Sequence, residues 1–449
     1  MTQARAWFEQ LRAQLLPMGS LRRSLVSGAF WSLTGAVFSR GFVLLSSIII
    51  ARLLGKTGYG GWGLVLSTVT MFAQFAIFGV ALTATKHVAE FRRTDPARAG
   101  RILSLALVVG LTSISIMSLV CLAASHWLAY QLYRAPHLFV PHLLASVMLF
   151  GMVGAMMLQG ALAGFEDFRR IARINAIQGL VLLLAAPPLA WSWGIPGTVV
   201  AMSASHLTAM ALCLWGTIRN CREHQMPLST TGIWQERIVL WKYAIPALLG
   251  GGVAGPAAAL SKALVARIPN GLAGLGSFEA AFRWRTVVLF IPGAVRQVAL
   301  PMLSRLKGEN DRRRYIRILW ANIVLNASIA LAGAVPVMVL SPWILSLYGQ
   351  NFRQDWDMMV ILVGSGVFKA IKDVLARVTS SMGKMWWHVG MATIWGAVTL
   401  GGTYLLLPIY GVRGYVWAVA GATVVDIAMY ALASTVILRR WHPLQEAQV

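Results

Sequence analysis

The sequence predicts an all-α, polytopic membrane protein with about twelve transmembrane helices. Of its 449 residues, 57% are hydrophobic and only 12% are charged, whereas roughly a quarter of the residues in ordinary soluble domains are charged. The apolar residues are gathered into twelve runs, and a run of about 20 residues is long enough to cross the hydrocarbon core of a bilayer. The runs occupy residues 26–51, 62–84, 102–124, 140–164, 174–192, 196–218, 243–265, 281–303, 318–340, 358–381, 387–408 and 414–438.

The first run, residues 26–51, is predicted to be an uncleaved transmembrane helix. It is longer than the apolar core of a signal peptide, and no small-residue cleavage site follows it. Arg40 is its single ionisable residue and lies close to mid-span. An arginine at that depth costs about 2.5–3.5 kcal/mol and usually faces a protein interior or a watery cavity. Two interpretations of Arg40 follow: it contacts a ligand, or it pairs with a carboxylate or snorkels to the interface.

An internal repeat divides the chain into two halves. Val80-Ala81-Leu82 is followed by a basic loop that ends at Arg101-Ile102-Leu103, and Val298-Ala299-Leu300 by one that ends at Arg317-Ile318-Leu319. This offset relates helices six spans apart, as in transporters built from parallel repeats; chance identity of short apolar triplets is the alternative. The predicted units are a cytoplasmic interfacial helix (1–23), an N-terminal six-helix lobe (24–219), a cytoplasmic linker (220–238), a C-terminal six-helix lobe (239–438) and a cytoplasmic tail (439–449).

The distribution of basic residues predicts the orientation. If the N-terminus is cytoplasmic, the inner segments hold 24 Lys and Arg residues and the outer loops hold 5. Because basic residues accumulate in cytoplasmic loops, both ends of the chain are predicted to be cytoplasmic. The same bias accounts for most of the net charge of +24 without nucleic acid as a partner.

Three short motifs follow one another in the order seen in a known family. Arg52-Leu53-Leu54-Gly55 and Tyr59-Gly60 close the first run, residues 300–306 read LPMLSRL at the exit of the eighth, and residues 347–352 read LYGQNF after the ninth. This order resembles the polysaccharide flippases of the multidrug/oligosaccharidyl-lipid/polysaccharide exporter superfamily. The chain has no room for two further C-terminal helices, which argues against the branch that carries lipid-linked peptidoglycan precursors.

The resemblance implies a fold, a location and a substrate. The fold is two six-helix lobes around a central cavity, in a multi-pass protein of the bacterial inner membrane. The substrate is a polyprenyl-diphosphate-linked oligosaccharide, flipped by alternating access from the cytoplasmic to the outer leaflet. Its product is surface or exported polysaccharide of the lipopolysaccharide O-antigen type, and polysaccharide polymerase machinery is a candidate protein partner beside the membrane lipids.

The ionisable residues inside the predicted spans carry an excess of positive charge. Such an excess requires an outside anion or water, and a diphosphate supplies one: arginine binds phosphate oxygens through two N–H groups and lysine binds them as a point charge. Arg285 and Arg296 are eleven residues apart, which places them on one face of a continuous helix. The predicted substrate-binding residues are Arg40, Lys262, Arg283, Arg285, Arg296, Lys369 and Lys372.

Two carboxylates lie among these cations. Asp373 follows Lys369 by one helical turn and is therefore predicted to neutralise it. Asp426 is the one acidic residue of the last run, and a carboxylate at that depth either takes up a proton or pairs with a cation. Both are candidates for coupling transport to an ion gradient. The alternative for Asp426 is a fixed ion pair with Lys369 or Lys372.

No catalytic, cofactor or metal site is predicted, so an enzyme is not expected. Gly55-Lys56-Thr57 imitates the end of a phosphate-binding loop, but Ile50 stands where that loop begins with glycine. The eight histidines are scattered, and Cys121, Cys213 and Cys221 lack metal-ligand spacing. Two functions remain as alternatives to flipping: a multidrug or organic-cation exporter of the same superfamily, which favours acidic cavity walls, and a non-transporting scaffold of a polysaccharide assembly complex.

The topology can be tested with single cysteines as markers. After Cys213 and Cys221 are replaced, a cysteine at Asn220 or Gln448 should resist a membrane-impermeant thiol reagent in intact cells, because both positions are predicted to face the cytoplasm. Labelling is compared before and after permeabilisation. Strong labelling at either position in intact cells would show that the orientation is reversed.

Overall fold

A computed structural model of the protein describes residues 21–77, 80–228, 231–309 and 311–441. Over these ranges the chain forms fifteen α-helices and no strand. Most of the predicted interfacial helix (1–23) and of the predicted tail (439–449) lies outside the described residues. The helices are α1 (Leu21–Ala76), α2 (Val80–Phe91), α3 (Pro96–Trp127), α4 (Phe139–Gly164), α5 (Phe168–Trp193), α6 (Ile195–Glu223), α7 (Arg237–Ala266), α8 (Gly271–Val288), α9 (Phe290–Gly308), α10 (Arg312–Val339), α11 (Ser341–Ser346), α12 (Gln350–Arg353), α13 (Trp356–Ser381), α14 (Met385–Tyr410) and α15 (Val412–Arg440).

Helix α1 crosses the membrane twice. Gly55 interrupts it with φ 68° and ψ 178°, a positive φ that glycine adopts without a steric penalty. The hydroxyl of Ser47 lies 2.5 Å from that of Tyr59, although these residues would be about 18 Å apart along a straight helix. The chain therefore reverses at Gly55, and the first two predicted spans run antiparallel.

The other helices supply the remaining ten predicted spans. Helix α2 completes the second span, α3 to α7 form the third to seventh, α8 with α9 forms the eighth, and α10, α13, α14 and α15 form the ninth to twelfth. Eight segments of the described chain are long and apolar enough to cross a membrane by length and composition, and α7 adds a shorter apolar stretch, Gly252–Ala266. Helices α8, α9 and α13 are less apolar because they carry the charged residues predicted to lie inside the membrane. The predicted fold class is confirmed.

The helices begin and end differently at the two ends of the bundle. Asp95, Asp167 and Asp311 precede α3, α5 and α10, and each carboxylate accepts a hydrogen bond from a backbone N–H in the first turn, which satisfies a free donor of the helix. At the opposite end, Gly55 and Gly411 reverse the chain with positive φ. We call these the Asp95 end and the Gly55 end.

The described helices pack as two lobes. In the first, α1 packs on α5 and α4 packs on α6; in the second, α15 packs on α14 and α13, and α7 packs on α14. Helix α1 also packs on α7 and α8, which joins the lobes. At the Asp95 end the linker is tied to the first lobe, because the Arg98 guanidinium donates to the Glu236 carboxylate at 3.2 Å. The lobe boundaries 24–219 and 239–438 stay predictions.

At the Gly55 end the two lobes meet backbone to backbone. A Cβ placed on Gly60 would overlap the carbonyl oxygen of Leu272, and one placed on Gly276 would overlap the carbonyl oxygen of Lys56. Glycine is therefore required on both sides of the crossing between α1 and α8. This close approach shuts the bundle between the two helices at this end.

The two motifs nearest this end pack against each other across the lobes. The ring of Tyr59 lies 6.1 Å from that of Tyr348 and 6.2 Å from that of Phe352, measured between centroids. The Lys56 ammonium lies 2.5 Å from the Asp355 carboxylate, and both side chains are mostly buried. Residues 52–60, which contain the RLLG motif, and residues 347–355, which contain the LYGQNF motif, thus form one closed contact, which we call the Gly55-end seal.

Substitution of Gly60 by alanine should destabilise the closed form. The added Cβ forces α1 and α8 apart, and overpacking of this kind costs about 1–3 kcal/mol. The measurement is thermal unfolding of the purified protein in detergent. Gly421→Ala is the matched control, because a Cβ at that helical glycine meets no atom within 4 Å. Equal melting temperatures for the two variants would contradict the close approach at Gly60.

Candidate functional site

A cavity of about 1190 Å³ lies in the bundle, larger than a typical site for a small ligand. Its walls come mainly from α7 to α10 and α13 to α15, with Arg40, Ser67 and Thr70 contributed by α1. The charged residues that line it are Arg40, Lys262, Arg285, Lys369, Lys372, Asp373 and Asp426. Five of the seven predicted substrate-binding residues and both predicted coupling residues are therefore brought together.

Two of these cations form no ion pair with any carboxylate that the structure describes. The Arg40 guanidinium lies over the ring of Phe290, 4.4 Å from its centroid. The Arg285 side chain is only 5% exposed, and its one hydrogen bond among the described groups is a long one of 3.5 Å to the Thr423 hydroxyl. The Nε–H of Arg285 is buried without an acceptor. Among the cations of the cavity wall, these two guanidinium groups have no direct ion pair in the described chain, although the charge of Asp373 acts on Arg285 from a longer distance.

Lys262, in contrast, is neutralised. Its ammonium lies 2.5 Å from the carboxylate of Glu279, and the two side chains are 14% and 5% exposed. Glu279 was not among the predicted site residues, because the eighth run was predicted to begin at residue 281. Glu279 could have been recognised from the sequence as the one carboxylate in the largely apolar residues 271–282.

Four further charges form a connected quartet of Lys369, Lys372, Asp373 and Asp426. Lys369 Nζ lies 3.2 Å from Asp373 Oδ1, Lys372 Nζ lies 3.1 Å from the same oxygen, and Lys372 Nζ lies 3.2 Å from Asp426 Oδ2. The predicted neutralisation of Lys369 by Asp373 is present. The ion pair of Asp426 is made with Lys372, one of the two partners considered.

Arg283 does not line the cavity. The Arg283 guanidinium lies over the ring of Trp62, 5.2 Å from its centroid, near the crossing of the lobes. The Arg296 side chain lies outside the described residues.

The eighth predicted span, on which Arg285 and Arg296 were expected to share one face, is not one continuous helix. The eighth span breaks at Leu289, where α8 ends and α9 begins, with φ −78° and ψ 0°. Pro292 explains the break, because it has no N–H to donate to the carbonyl of Val288. The two arginines therefore lie on separate helices.

Uncharged side chains complete the lining. His388 Nδ1 lies 2.7 Å from the Tyr430 hydroxyl, and its Nε2 lies 2.9 Å from the Thr379 hydroxyl. Trp395 and Asn326 also face the cavity. Sequence reasoning missed His388 and Tyr430: His388 lies on a helix without charged cavity residues, whereas Tyr430 follows Asp426 by one helical turn, a spacing that could have found it. The wall thus offers guanidinium groups for anions together with hydroxyl, amide and aromatic groups.

The described helices form two lobes, with a basic cavity mainly in the second lobe beside α1 and a closed contact at the Gly55 end, and solved transporters of the multidrug/oligosaccharidyl-lipid/polysaccharide superfamily share this fold. An inward-facing multidrug resistance MATE family transporter superposes with a TM-score of 0.72 at 14% identity, covering 91% of this chain and 99% of that one. A MOP superfamily transporter from Pyrococcus furiosus, for which reverse polarity of the binding pocket suggests a different function, superposes with a TM-score of 0.66 at 15% identity, covering 93% and 96%.

The sequence itself defines the family. A family model described as polysaccharide biosynthesis protein matches residues 25–307, and the chain belongs to this family. It is also 26% identical over 443 residues to the EPS I polysaccharide export inner membrane protein EpsE of Ralstonia nicotianae, covering 95% of each chain.

Removing the carboxylate of Glu279 should destabilise the protein. Glu279→Gln leaves the Lys262 ammonium buried and unpaired, which costs about 3–5 kcal/mol for a buried pair. The free energy or midpoint of unfolding in detergent measures the loss. The double variant Lys262→Met/Glu279→Gln should recover most of the stability, since no charge is then left unpaired.

The exposed ion pair between Arg305 and Glu309 provides the control. Glu309→Gln should leave the unfolding midpoint unchanged within error, because exposed pairs contribute little. If Glu279→Gln were as mild as Glu309→Gln, the Lys262–Glu279 pair would not be the buried neutralising contact described above.

Proposed function

We propose that this protein is a flippase that moves a polyprenyl-diphosphate-linked oligosaccharide from the cytoplasmic to the outer leaflet of the bacterial inner membrane. The product serves the synthesis of surface or exported polysaccharide. Transport occurs by alternating access and involves no covalent chemistry. Membership of the polysaccharide biosynthesis family and the similarity to an EPS I polysaccharide export protein support this class of substrate.

The observation that carries the proposal is the pair of guanidinium groups without an ion pair in the described chain, Arg40 and Arg285. Arg285 is buried, where a charge without a direct partner is costly, and Arg40 is exposed at the cavity wall. An anion that enters the cavity can therefore contact both. A diphosphate fits this requirement, because each guanidinium can donate two parallel hydrogen bonds to phosphate oxygens. Lys262, Lys369 and Lys372 already have carboxylate partners and are secondary contacts in this proposal. The role predicted for Arg283 and Arg296 stays a sequence-based prediction.

The remaining lining suits the sugars. An oligosaccharide cannot cross hydrocarbon unaided, because its hydroxyl groups would lose their hydrogen bonds. The cavity of about 1190 Å³ offers amide, hydroxyl and imidazole groups to these hydroxyls, and Trp395 offers an aromatic face. The polyprenyl tail stays in the bilayer while the head group moves.

The seal at the Gly55 end supports a state open toward the other end. The basic loops lie at the Asp95 end, so the charge bias assigns that end to the cytoplasm and the Gly55 end to the outside. With this orientation the structure is the cytoplasm-facing state of the cycle. Opening of the contact between Lys56 and Asp355 would then release the head group outward.

A multidrug or organic-cation exporter is the closest alternative within the superfamily. Such a transporter requires carboxylates that are free to bind a cation. Here Glu279, Asp373 and Asp426 each contact a lysine ammonium at 2.5–3.2 Å, whereas two arginines lack a carboxylate partner in the described chain. This distribution favours an anionic substrate. A non-transporting scaffold would leave the uncompensated arginines without a role.

Arg40→Ala and Arg285→Ala should each abolish most of the surface polysaccharide in a deletion strain complemented with the variant. Hydrogen bonds to charged groups contribute about 1.5–3 kcal/mol, so the rate of flipping in proteoliposomes should fall roughly tenfold to hundredfold. Lysine at either position should restore only part of the activity, because an ammonium group cannot form the bidentate hydrogen bonds that a guanidinium group makes to phosphate.

Arg219→Ala is the matched control, since Arg219 is exposed and pairs with Glu223 outside the cavity. Abundance of every variant in the membrane is measured in parallel by immunoblot. Full complementation by both the Arg40 and the Arg285 variants at normal abundance would refute the anion-binding role of the cavity.

A further inference from the structure

We propose that Asp426 is a proton-binding site, and that its protonation and the binding of a diphosphate ester in the same cavity favour each other. The inference rests on the proposed function, because it concerns the cavity assigned to the diphosphate. It goes further by naming one proton acceptor and the sign of its coupling to the substrate.

The quartet of α13 and α15 is balanced when both carboxylates are ionised. Lys369 and Lys372 contribute two positive charges, and Asp373 and Asp426 contribute two negative charges, through contacts of 3.1–3.2 Å. All four side chains line the cavity. A proton on either carboxylate therefore adds one net positive charge to the wall that faces the substrate.

The geometry selects Asp426 as the carboxylate that takes the proton. Asp373 contacts the ammonium groups of both lysines, whereas Asp426 contacts only that of Lys372. Protonation of Asp373 would leave two neighbouring ammonium groups, of which Lys369 would have no carboxylate contact in the described chain. Protonation of Asp426 leaves both lysines in contact with Asp373. The proton is thus accommodated at Asp426 with the smaller loss of ion-pair energy.

The sign of the coupling follows from charge. A diphosphate with an ester on each phosphate carries two negative charges, and a more positive wall attracts it more strongly in a cavity of low effective dielectric. Because binding linkage is reciprocal, the bound diphosphate favours protonated Asp426 by the same factor. The proton adds to a carboxylate oxygen to give the neutral acid, and no bond of the substrate is broken.

A hydrogen-bonded pair, His388 and Tyr430, lies between Asp426 and the Asp95 end. His388 lies in the first turn of α14 at that end, and its Nδ1 is 2.7 Å from the Tyr430 hydroxyl. Tyr430 lies one turn from Asp426 on α15 and lines the cavity with it. We assign His388 and Tyr430 to the route by which the proton enters from water at this end.

The surroundings of Asp426 define the controls that a test requires. The charged and titratable groups that line the cavity with Asp426 are Arg40 on α1, Lys262 on α7, Arg285 on α8, Lys369, Lys372 and Asp373 on α13, His388 on α14, and Tyr415 and Tyr430 on α15. Of these, His388 ordinarily titrates near neutral pH and must be separated from Asp426. The Lys372 ammonium occupies the position between the two carboxylates that a sodium ion would take, so sodium should not replace the proton.

The test is equilibrium binding of a polyprenyl-diphosphate monosaccharide to the full-length protein in lipid nanodiscs. This probe is chosen because both of its phosphates are esterified and keep one charge each at mildly acidic and mildly alkaline pH. We expect at least about fivefold tighter binding at the acidic pH, within the usual range of coupling between sites. In weakly buffered solution, a pH-indicator dye should report proton uptake as the probe binds.

The variants assign the effect to one residue. Asp426→Asn should bind the probe with an affinity that is independent of pH and without proton uptake. His388→Gln should retain both the pH dependence and the uptake, because equilibrium protonation of Asp426 does not require the imidazole. If Asp426→Asn is not inserted, the double variant Lys372→Gln/Asp426→Asn removes the pair together and should show the same loss of pH dependence.

The outcomes separate this inference from the proposed function. Binding of the probe to the wild type without proton uptake and with unchanged affinity at both pH values overturns the inference and leaves the flippase proposal intact. An effect of sodium in place of the proton, or pH dependence that is lost in His388→Gln and kept in Asp426→Asn, also overturns it. No binding of the probe at any pH contradicts the proposed function itself.

Discussion

The constraint on which the structure depends is the cost of placing charge where lipid cannot solvate it. An ionised side chain inside the hydrocarbon region requires a counter-charge, an aromatic face or water. Glu279 supplies the counter-charge for Lys262, the rings of Trp62 and Phe290 cover Arg283 and Arg40, and two aspartates hold two lysines. These requirements turn α7, α8, α13 and α15 inward, and the cavity lies where their charged faces meet. The helices that carry charged residues inside their predicted spans therefore define the site.

The helices could be predicted from the sequence because lipid imposes a simple rule. A segment that crosses hydrocarbon must satisfy its backbone internally, so each span is a long apolar helix that hydropathy detects. The i, i+4 contact between Lys369 and Asp373 was predictable for a similar reason, since helix geometry alone brings these residues together. What hydropathy did not reveal is the break at Leu289, because a proline near mid-span is compatible with both a continuous and an interrupted helix.

Contacts between side chains on different helices could not be predicted from the spacing of residues in the sequence. Lys262 and Glu279 are 17 residues apart on α7 and α8, and Lys372 meets Asp426 only because α13 packs on α15. Two of the three motifs that carried the family resemblance behave alike: Tyr59 and Tyr348 are far apart in sequence but form one aromatic cluster. Their proximity depends on Gly60 and Gly276, whose missing side chains allow the backbones to touch. Motif order indicated the family, and packing explains why these motifs occur together.

The reversal of α1 at Gly55 has a mechanical consequence. The hydroxyl contact between Ser47 and Tyr59 ties the two arms of the helix into one rigid piece, which carries a seal residue, Lys56, near its tip and the anion-binding candidate Arg40 further down one arm. Arg40 is 15 residues from the reversal, or about 22 Å along the arm. A rotation of roughly 10° about the tip moves the guanidinium by about 4 Å, which exceeds the length of a hydrogen bond. A rotation of this arm would therefore move Lys56 of the Gly55-end seal and Arg40 of the cavity wall together.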